Sequence, residues 1–202
     1  MDFDATCTKI RNMNAVSANK LLNTLELRVD DHLQKAIAIY QNLSDVHLNQ
    51  PAAGGGWSIA SCLEHLNSYG DYYLGEISRA IQKYAGEPGT TARRGWLGNY
   101  FIQMMDPDLS VKKYKAFKGH FPAEHLDGHL VVTRFIEQQH ELLDLLRRAA
   151  GADLNRISIP ISLTRFVRLK MGDTFEFIIM HNERHIRQAD RNLNGVTGRG
   201  LL

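Results

Sequence analysis

Apolar residues recur at intervals of three and four over four long stretches of the chain, which predicts four amphipathic helices. The first stretch covers about 17–43, and the second covers about 59–85, where Ser58 suits the N-cap position. The third begins at about 125 or 127 and ends near 150, and the fourth covers about 173–194. Each stretch holds five turns or more, so each predicted helix is long enough to bury a full apolar stripe.

The segments between these helices contain few sequence features that indicate β-strands. A run of proline and glycine, NQPAAGGG, separates the first two helices. Residues 86–127 form the least regular part, in which 96–105 is apolar enough for a short helix or a packed loop. The sequence ISIPISL predicts a short extended segment, and its Pro160 argues against a central strand.

The pattern therefore predicts an all-α protein, a four-helix bundle with a long loop or short-helix insertion between helices 2 and 3. Residues 1–16 are polar and are expected to form a loosely held N-terminal tail. Residues 17–202 are expected to form a single domain, because 202 residues suit one hydrophobic core.

Charge, apolar run length and cysteine content indicate which partners and which location to expect. The net charge is +2 and no block of lysine and arginine stands out, so nucleic acid is not an expected partner. No apolar stretch approaches the roughly 18 residues of a membrane-spanning helix, and the first residues lack a signal-peptide pattern. Cys7 and Cys62 do not make a disulfide framework, so a cytoplasmic location is expected.

The sequence HNERH places His181 and His185 four residues apart on the predicted fourth helix, beside its apolar stripe. Residues with this spacing lie side by side, so the two imidazoles could be metal ligands or two hydrogen-bonded histidines at the edge of the core. Glu183 lies about 200° around the helix from His181 and is not expected to act as a general base of the HExxH kind. Two histidines do not complete a metal site.

The sequence contains seven candidates for a third ligand: His32, His47, His65, His120, His125, His129 and His140. His65 is the best placed, because it neighbours the apolar face of the second helix. His125 and His129 are also four apart, but they flank Gly128 at a helix start, where exposure to solvent is expected. Cys62 shares a face with His65 and is either a fourth ligand of a closed zinc site or, as we favour, a small buried residue.

Two segments together carry a family resemblance. One is WSIASCLEHL, with Trp57, Ser58, His65 and Leu66, and the other is FEFIIMHNERHIRQADRNL, with His181, His185 and Gln188. In this order, and on the second and fourth helices, they resemble the DinB-like superfamily, also called DinB/YfiT-like, over about 17–194.

The resemblance implies a four-helix bundle with a metal at one end, held by His65, His181 and His185. The metal would be a divalent transition metal, nickel or zinc, and some relatives use a low-molecular-weight thiol such as bacillithiol or mycothiol. A homodimer acting on a small-molecule substrate is the form that the resemblance implies. The long segment between helices 2 and 3 departs from the pattern, so a substrate does not carry over.

A divalent metal on three imidazoles would activate a bound thiol or water, which favours a thiol S-transferase or a hydrolase. The alternative is a non-catalytic metal-binding or stress-response bundle with a structural metal. Tyr69, Asn182 and Gln188 are candidates for contacts to the ligands or the substrate, against purely structural roles. Glu64 adjoins His65 in sequence but points about 100° away on the helix, so it is not a convincing base.

Overall fold

Four long helices make up most of the computed structural model, which describes residues 15–53, 55–109, 117 and 119–197. In chain order the elements are β1 (Ala15–Ser17), α1 (Ala18–Ala38), α2 (Asp45–Asn49), α3 (Ile59–Gln82), β2 (Thr91–Arg93), α4 (Trp96–Met105), α5 (Gly128–Ala149), β3 (Ser158–Ile161), β4 (Thr164–Lys170) and α6 (Met171–Thr197). The four long helices are α1, α3, α5 and α6. They correspond to the four predicted from the apolar periodicity.

Side-chain caps mark the starts of three of the long helices. Ser17 accepts a hydrogen bond from the backbone N–H of Lys20 at the start of α1, and Asp127 accepts one from Leu130 at the start of α5. Ser58 accepts one from Ser61 at the start of α3, as the sequence predicts. These caps satisfy N–H groups that the first turn of a helix leaves without a partner.

The long helices pack in an arrangement that buries their apolar stripes. Helix α3 packs against α5 and α6, and α1 packs against the same two helices. Two clusters of buried apolar side chains result, one around Tyr73 and Phe175 and the other around Leu63 and Phe135. His65 directly precedes Leu66, which belongs to the second cluster, and lies four residues before Tyr69, which belongs to the first.

The first predicted helix ends earlier than its periodicity indicates. Helix α1 ends at Ala38, and a 3₁₀ turn at Tyr40–Asn42 and the short α2 follow it. The buried Tyr40 continues the apolar spacing of α1, but its hydroxyl donates to Asp190 at 2.7 Å. This tertiary contact, which local periodicity does not reveal, anchors the tighter turn to α6.

Two small antiparallel hairpins complete the fold. Strand β1 pairs with β2, so the last residues of the predicted tail belong to a strand, whereas the rest of that tail lies outside the described residues. The ISIPISL segment supplies β3, which pairs with β4. Pro160 lies opposite Arg168 in this two-stranded sheet. A strand of such a sheet has a free edge, so a proline without an N–H group is tolerated there.

Helix α4 lies within the stretch between α3 and α5 and packs against α6. Strand β4 ends at Lys170, and α6 begins at the next residue. The β3–β4 hairpin is therefore fixed directly to the helix that carries HNERH. None of the described helices is both long and apolar enough to cross a lipid bilayer.

The contact between α3 and α5 at Gly70 generates a test of the packing. A methyl group at Gly70 would overlap the amide of Gln138, which donates to the backbone oxygen of Asn67 at 3.1 Å and to Asp71 at 2.9 Å. Gly70→Ala should therefore lower the free energy of unfolding by about 1–3 kcal/mol in chemical denaturation.

Gly75→Ala on the same helix is the matched control. The nearest side chain to the added methyl group is the flexible end of Arg79, 3.9 Å away. This substitution should raise the free energy of unfolding by up to about 1 kcal/mol, because alanine favours a helix over glycine. Equal effects of the two substitutions would contradict the close contact at Gly70.

Candidate metal centre

Three histidines converge inside the bundle, one from α3 and two from α6. Each of His65, His181 and His185 offers a ring nitrogen, and these nitrogens lie within 4.8 Å of one another. The Nε2 atoms of His65 and His181 are 3.1 Å apart. Two nitrogens bound to one zinc ion at 2.0–2.1 Å would be separated by about 3.3 Å in a tetrahedral site. The structure thus brings together the three residues that the resemblance implies as ligands.

Hydrogen bonds at the outer ring nitrogens orient two of the imidazoles. His65 Nδ1 donates to the backbone oxygen of His120 at 2.7 Å, and His185 Nδ1 donates to Oε1 of Gln188 at 3.1 Å. Each neutral ring then carries its lone pair on Nε2. Such outer partners fix the tautomer and the ring direction in metal sites. Gln188 therefore contacts a candidate ligand, as the sequence suggests.

Burial keeps the three imidazoles uncharged. Burial lowers the pKa of His65 to about 4. It also lowers the pKa of His185 to about 3, and the neighbouring His65 lowers the pKa of His185 further. The pKa of the buried His181 lies well below the usual value for the same reason, with further contributions from His185 and His65. At neutral pH all three rings offer lone pairs, which is the form that binds a metal.

Aromatic side chains pack against the three histidines. The Trp57 ring stacks on that of His185 with 5.7 Å between centroids. Tyr69 meets the edge of His181 at 4.5 Å, and Phe177 stacks on the same ring at 5.9 Å. Trp57 belongs to the Trp-Ser motif directly before α3, and its side chain lies on one side of the three histidines. These aromatic contacts reduce the exposure of the imidazoles to solvent and lower the local dielectric constant.

His120 contributes to the centre through its backbone, which the sequence does not indicate. Its carbonyl oxygen holds His65, while its own ring stacks on Tyr69 at 3.9 Å and its Nδ1 lies 2.9 Å from the Ser68 hydroxyl. That hydroxyl also donates to the backbone oxygen of His65 at 2.7 Å. His120 and His65 are 55 residues apart, and no periodicity links positions so distant.

Other histidines considered as third ligands lie elsewhere. His47, His125, His129 and His140 are exposed to solvent, as expected for the pair at the start of α5. His32 is buried on α1, and its Nε2 atom lies 2.9 Å from Glu183. None of these side chains shares the cluster of His65, His181 and His185 in the part of the chain that the structure describes.

Glu183 faces α1 and not the imidazoles. It accepts a hydrogen bond from Arg187 at 2.6 Å in addition to its contact with His32. The hydrogen bond with His32, and then that with Arg187, holds the pKa of Glu183 at about 2. The carboxylate is thus engaged in an ion-pair network on another side of α6, in agreement with the expectation that it is no general base.

Cys62 and Asn182 are buried beside the centre with other contacts. Cys62 packs in the apolar cluster around Leu63, and burial raises the pKa of its thiol to about 12. It is not among the residues that could hold a metal with the three histidines. Asn182 donates to Gln139 at 3.2 Å and so links α6 to α5.

Glu64, which adjoins His65 in the sequence, forms an ion pair with Arg134 at 3.9 Å.

Comparison with known proteins identifies the family. A family model of the DinB superfamily matches residues 28–189. The chain belongs to the DinB superfamily. The match spans the bundle from within α1 to within α6, and it includes His65, His181 and His185.

A solved structure shows the same fold. The chain is similar to YfiT from Bacillus subtilis, which is described as a probable metal-dependent hydrolase with an unusual four-helix bundle topology. The identity is 15%, the match covers 90% of this chain and 87% of YfiT, and the TM-score is 0.50. No curated protein sequence matches the chain. At this identity the likeness concerns the fold alone.

The lowered pKa values generate a prediction for the metal-free protein. Its free energy of unfolding should fall as the pH drops below about 6.5, because the unfolded chain then takes up protons. The folded chain does not, since burial holds the pKa of His65 at about 4 and that of His185 at about 3. Each such histidine contributes at most ~1.4 kcal/mol per pH unit over that window. Denaturation curves between neutral and mildly acidic pH measure the slope.

His65→Gln should make this slope shallower, because one titrating group is removed from the bundle. His140→Gln serves as the control, since this side chain is exposed on α5. It should leave the slope as it is in the unaltered protein. The burial argument is wrong if the two variants show the same pH dependence.

Proposed function

We propose that this member of the DinB superfamily is a metal-dependent enzyme acting on a small molecule. A divalent transition metal, nickel or zinc, would be held by His65, His181 and His185, and it would activate a thiol or a water. The observation that carries this proposal is the convergence of three neutral imidazoles with no cysteine or carboxylate beside them among the described residues. Three protein ligands leave positions for a reactant.

The donor set fits such a metal. Neutral imidazoles are good ligands for zinc and nickel, and the lone pairs of His65 and His185 are fixed on Nε2 by His120 and Gln188. When bound, the metal would lower the pKa of a coordinated thiol or water, or polarise a carbonyl group. Thiol transfer follows the family resemblance, and hydrolysis follows the description of YfiT.

The residues around the histidines would shape the reaction. Trp57 and Phe177 cover faces of His185 and His181, and so restrict the approach of water from those sides. Burial raises the pKa of Tyr69 to about 12, so its hydroxyl stays protonated and can donate a hydrogen bond to a substrate oxygen. A homodimer is part of the proposal through the resemblance alone.

A structural metal in a non-catalytic bundle is the competing proposal. It needs a closed site, and Cys62 is the residue that would close it. The thiol of Cys62 lies outside the cluster that could hold an ion, and burial raises its pKa to about 12, which disfavours the thiolate that a metal binds. We therefore favour the enzyme.

Removing one ligand tests the metal site directly. Protein produced without a histidine tag should bind about one zinc or nickel ion per chain, and the ion should raise the melting temperature. His65→Ala should weaken binding by more than about 100-fold, because losing an outer partner of a ligand already costs about 10–100-fold. Metal analysis after dialysis and a thermal shift measure both effects.

His140→Ala, an exposed histidine on α5, is the control and should bind metal as the unaltered chain does. A His65→Ala variant with full metal content would contradict the ligand assignment.

Open coordination is tested with cobalt(II) in place of the native metal. Addition of a small thiol such as ethanethiol should produce a sulfur-to-cobalt charge-transfer band, because a position is available for the sulfur. Cys62→Ser should give the same cobalt spectrum as the unaltered protein before thiol is added. A sulfur-to-cobalt band that is present without added thiol and lost in Cys62→Ser would identify a closed, structural site.

A further inference from the structure

An apolar groove lies beside the three histidines. It is formed by α4, the β3–β4 hairpin, α3 and α6, and it is partly open to solvent. The lining residues that matter here are Tyr69, Phe101, Met104, Phe117, Leu163 and Phe177.

The groove is continuous with the candidate metal centre through two shared side chains. Tyr69 lines the groove, and its ring meets those of His181 at 4.5 Å and His65 at 5.1 Å. Phe177 also lines the groove and stacks on His181 at 5.9 Å. A molecule with one end at the histidines would therefore find the groove at its other end.

The chemistry of the described lining is unfavourable for a charged occupant. None of the described residues that line the groove is a lysine, arginine, histidine, aspartate or glutamate. A charged group placed there would lose its hydration without gaining a partner. Met104 and Met105 add flexible and polarisable surface, which adapts to apolar groups of different shape.

One polar group marks the boundary between the groove and the histidines. Tyr69 is 7% exposed, lines the groove and contacts the rings of His181 and His65. The hydroxyl of the neighbouring Tyr73 is already engaged, because it accepts a hydrogen bond from the backbone N–H of Ser162 at 3.1 Å. A tyrosine hydroxyl can donate a hydrogen bond to a polar atom of a bound molecule.

A larger cavity elsewhere in the protein does not compete for this role. It lies near the start of α6, where Arg94 pairs with Glu176 and Asp173 accepts from the backbone N–H of Gly95. None of its lining residues belongs to the three histidines or to their aromatic walls. Its charged groups already have partners, so it suggests no particular ligand.

We propose that the groove binds an uncharged alkyl or aryl group of the substrate, and that the Tyr69 hydroxyl hydrogen-bonds to a polar atom next to that group. The reacting end of the substrate then lies at His65, His181 and His185. This inference rests on the proposed function for the position of the reacting end. It assigns substrates with a neutral apolar substituent to this enzyme.

A series of straight-chain thiols tests the groove. Ethanethiol, propanethiol and butanethiol are titrated into the cobalt-loaded protein by calorimetry, and the cobalt spectrum is recorded for each. Affinity should rise about fourfold with each added methylene, which corresponds to the ~0.8 kcal/mol gained by burying one methylene group. The charged 3-mercaptopropionate should bind at least about tenfold more weakly than butanethiol, because its carboxylate would enter an apolar lining.

Two partly exposed lining residues offer variants that should still fold. Leu163 is 44% exposed and Phe117 is 50% exposed, so neither is a core residue. Leu163→Ser and Phe117→Ser should each reduce the gain per methylene to less than about twofold, because less apolar surface remains to cover the chain. Phe166→Ser and Phe121→Ser are the matched controls, since these residues are exposed and do not line the groove.

The outcomes separate the groove from the metal chemistry. A rise with chain length that is lost in Leu163→Ser and Phe117→Ser, but kept in the controls, supports the groove. Affinities that do not depend on chain length, thiols that do not bind, or lining variants that behave as the controls do overturn it. A rise with chain length and no change in the cobalt spectrum supports the groove and contradicts the proposed function.

Discussion

The centre depends on holding three uncharged imidazoles close together inside a helical bundle. The Nε2 atoms of His65 and His181 are 3.1 Å apart, a distance at which two protonated rings would repel strongly. Burial prevents that repulsion by favouring the neutral form of each ring. Neutral rings still need partners for their outer nitrogens, and His120 and Gln188 supply these for His65 and His185. His65 and His185 therefore already carry their lone pairs on Nε2, the atoms that face the centre.

The packing of α3 against α6 supplies this arrangement. The i,i+4 spacing on α6 brings two rings to one face, but His65 reaches them only because α3 lies alongside. The other faces of α6 are engaged in different contacts, with Glu183 paired to His32 of α1 and Asn182 bonded to Gln139 of α5. Helix α6 thus contributes two histidines to the candidate metal centre, one polar contact to α1 and one polar contact to α5.

The sequence predicts those features that depend on local spacing. The four long helices, the Ser58 cap and the common face of His181 and His185 all follow from periods of three and four residues. The pairing of His65 with them came from a family resemblance, and the contact with His120 had no local signal at all. The strand at Ala15–Ser17 was missed for the same reason, because three α-helices separate it in the sequence from its partner Thr91–Arg93. The ISIPISL segment is extended, as predicted, and Pro160 lies in a two-stranded hairpin, which has no central strand.

The stretch between α3 and α5 contributes both to the candidate metal centre and to the proposed substrate groove. His120 from this stretch orients His65. The groove is lined in part by Phe101, Met104 and Phe117 from the same stretch. Under the proposed function, changes in this stretch would alter what reaches the metal without changing the three histidines on α3 and α6. Such changes would also act on the metal centre, since they would move the carbonyl that holds His65. This double role explains in physical terms why a substrate cannot be carried over from a relative that shares only the helices and the histidines.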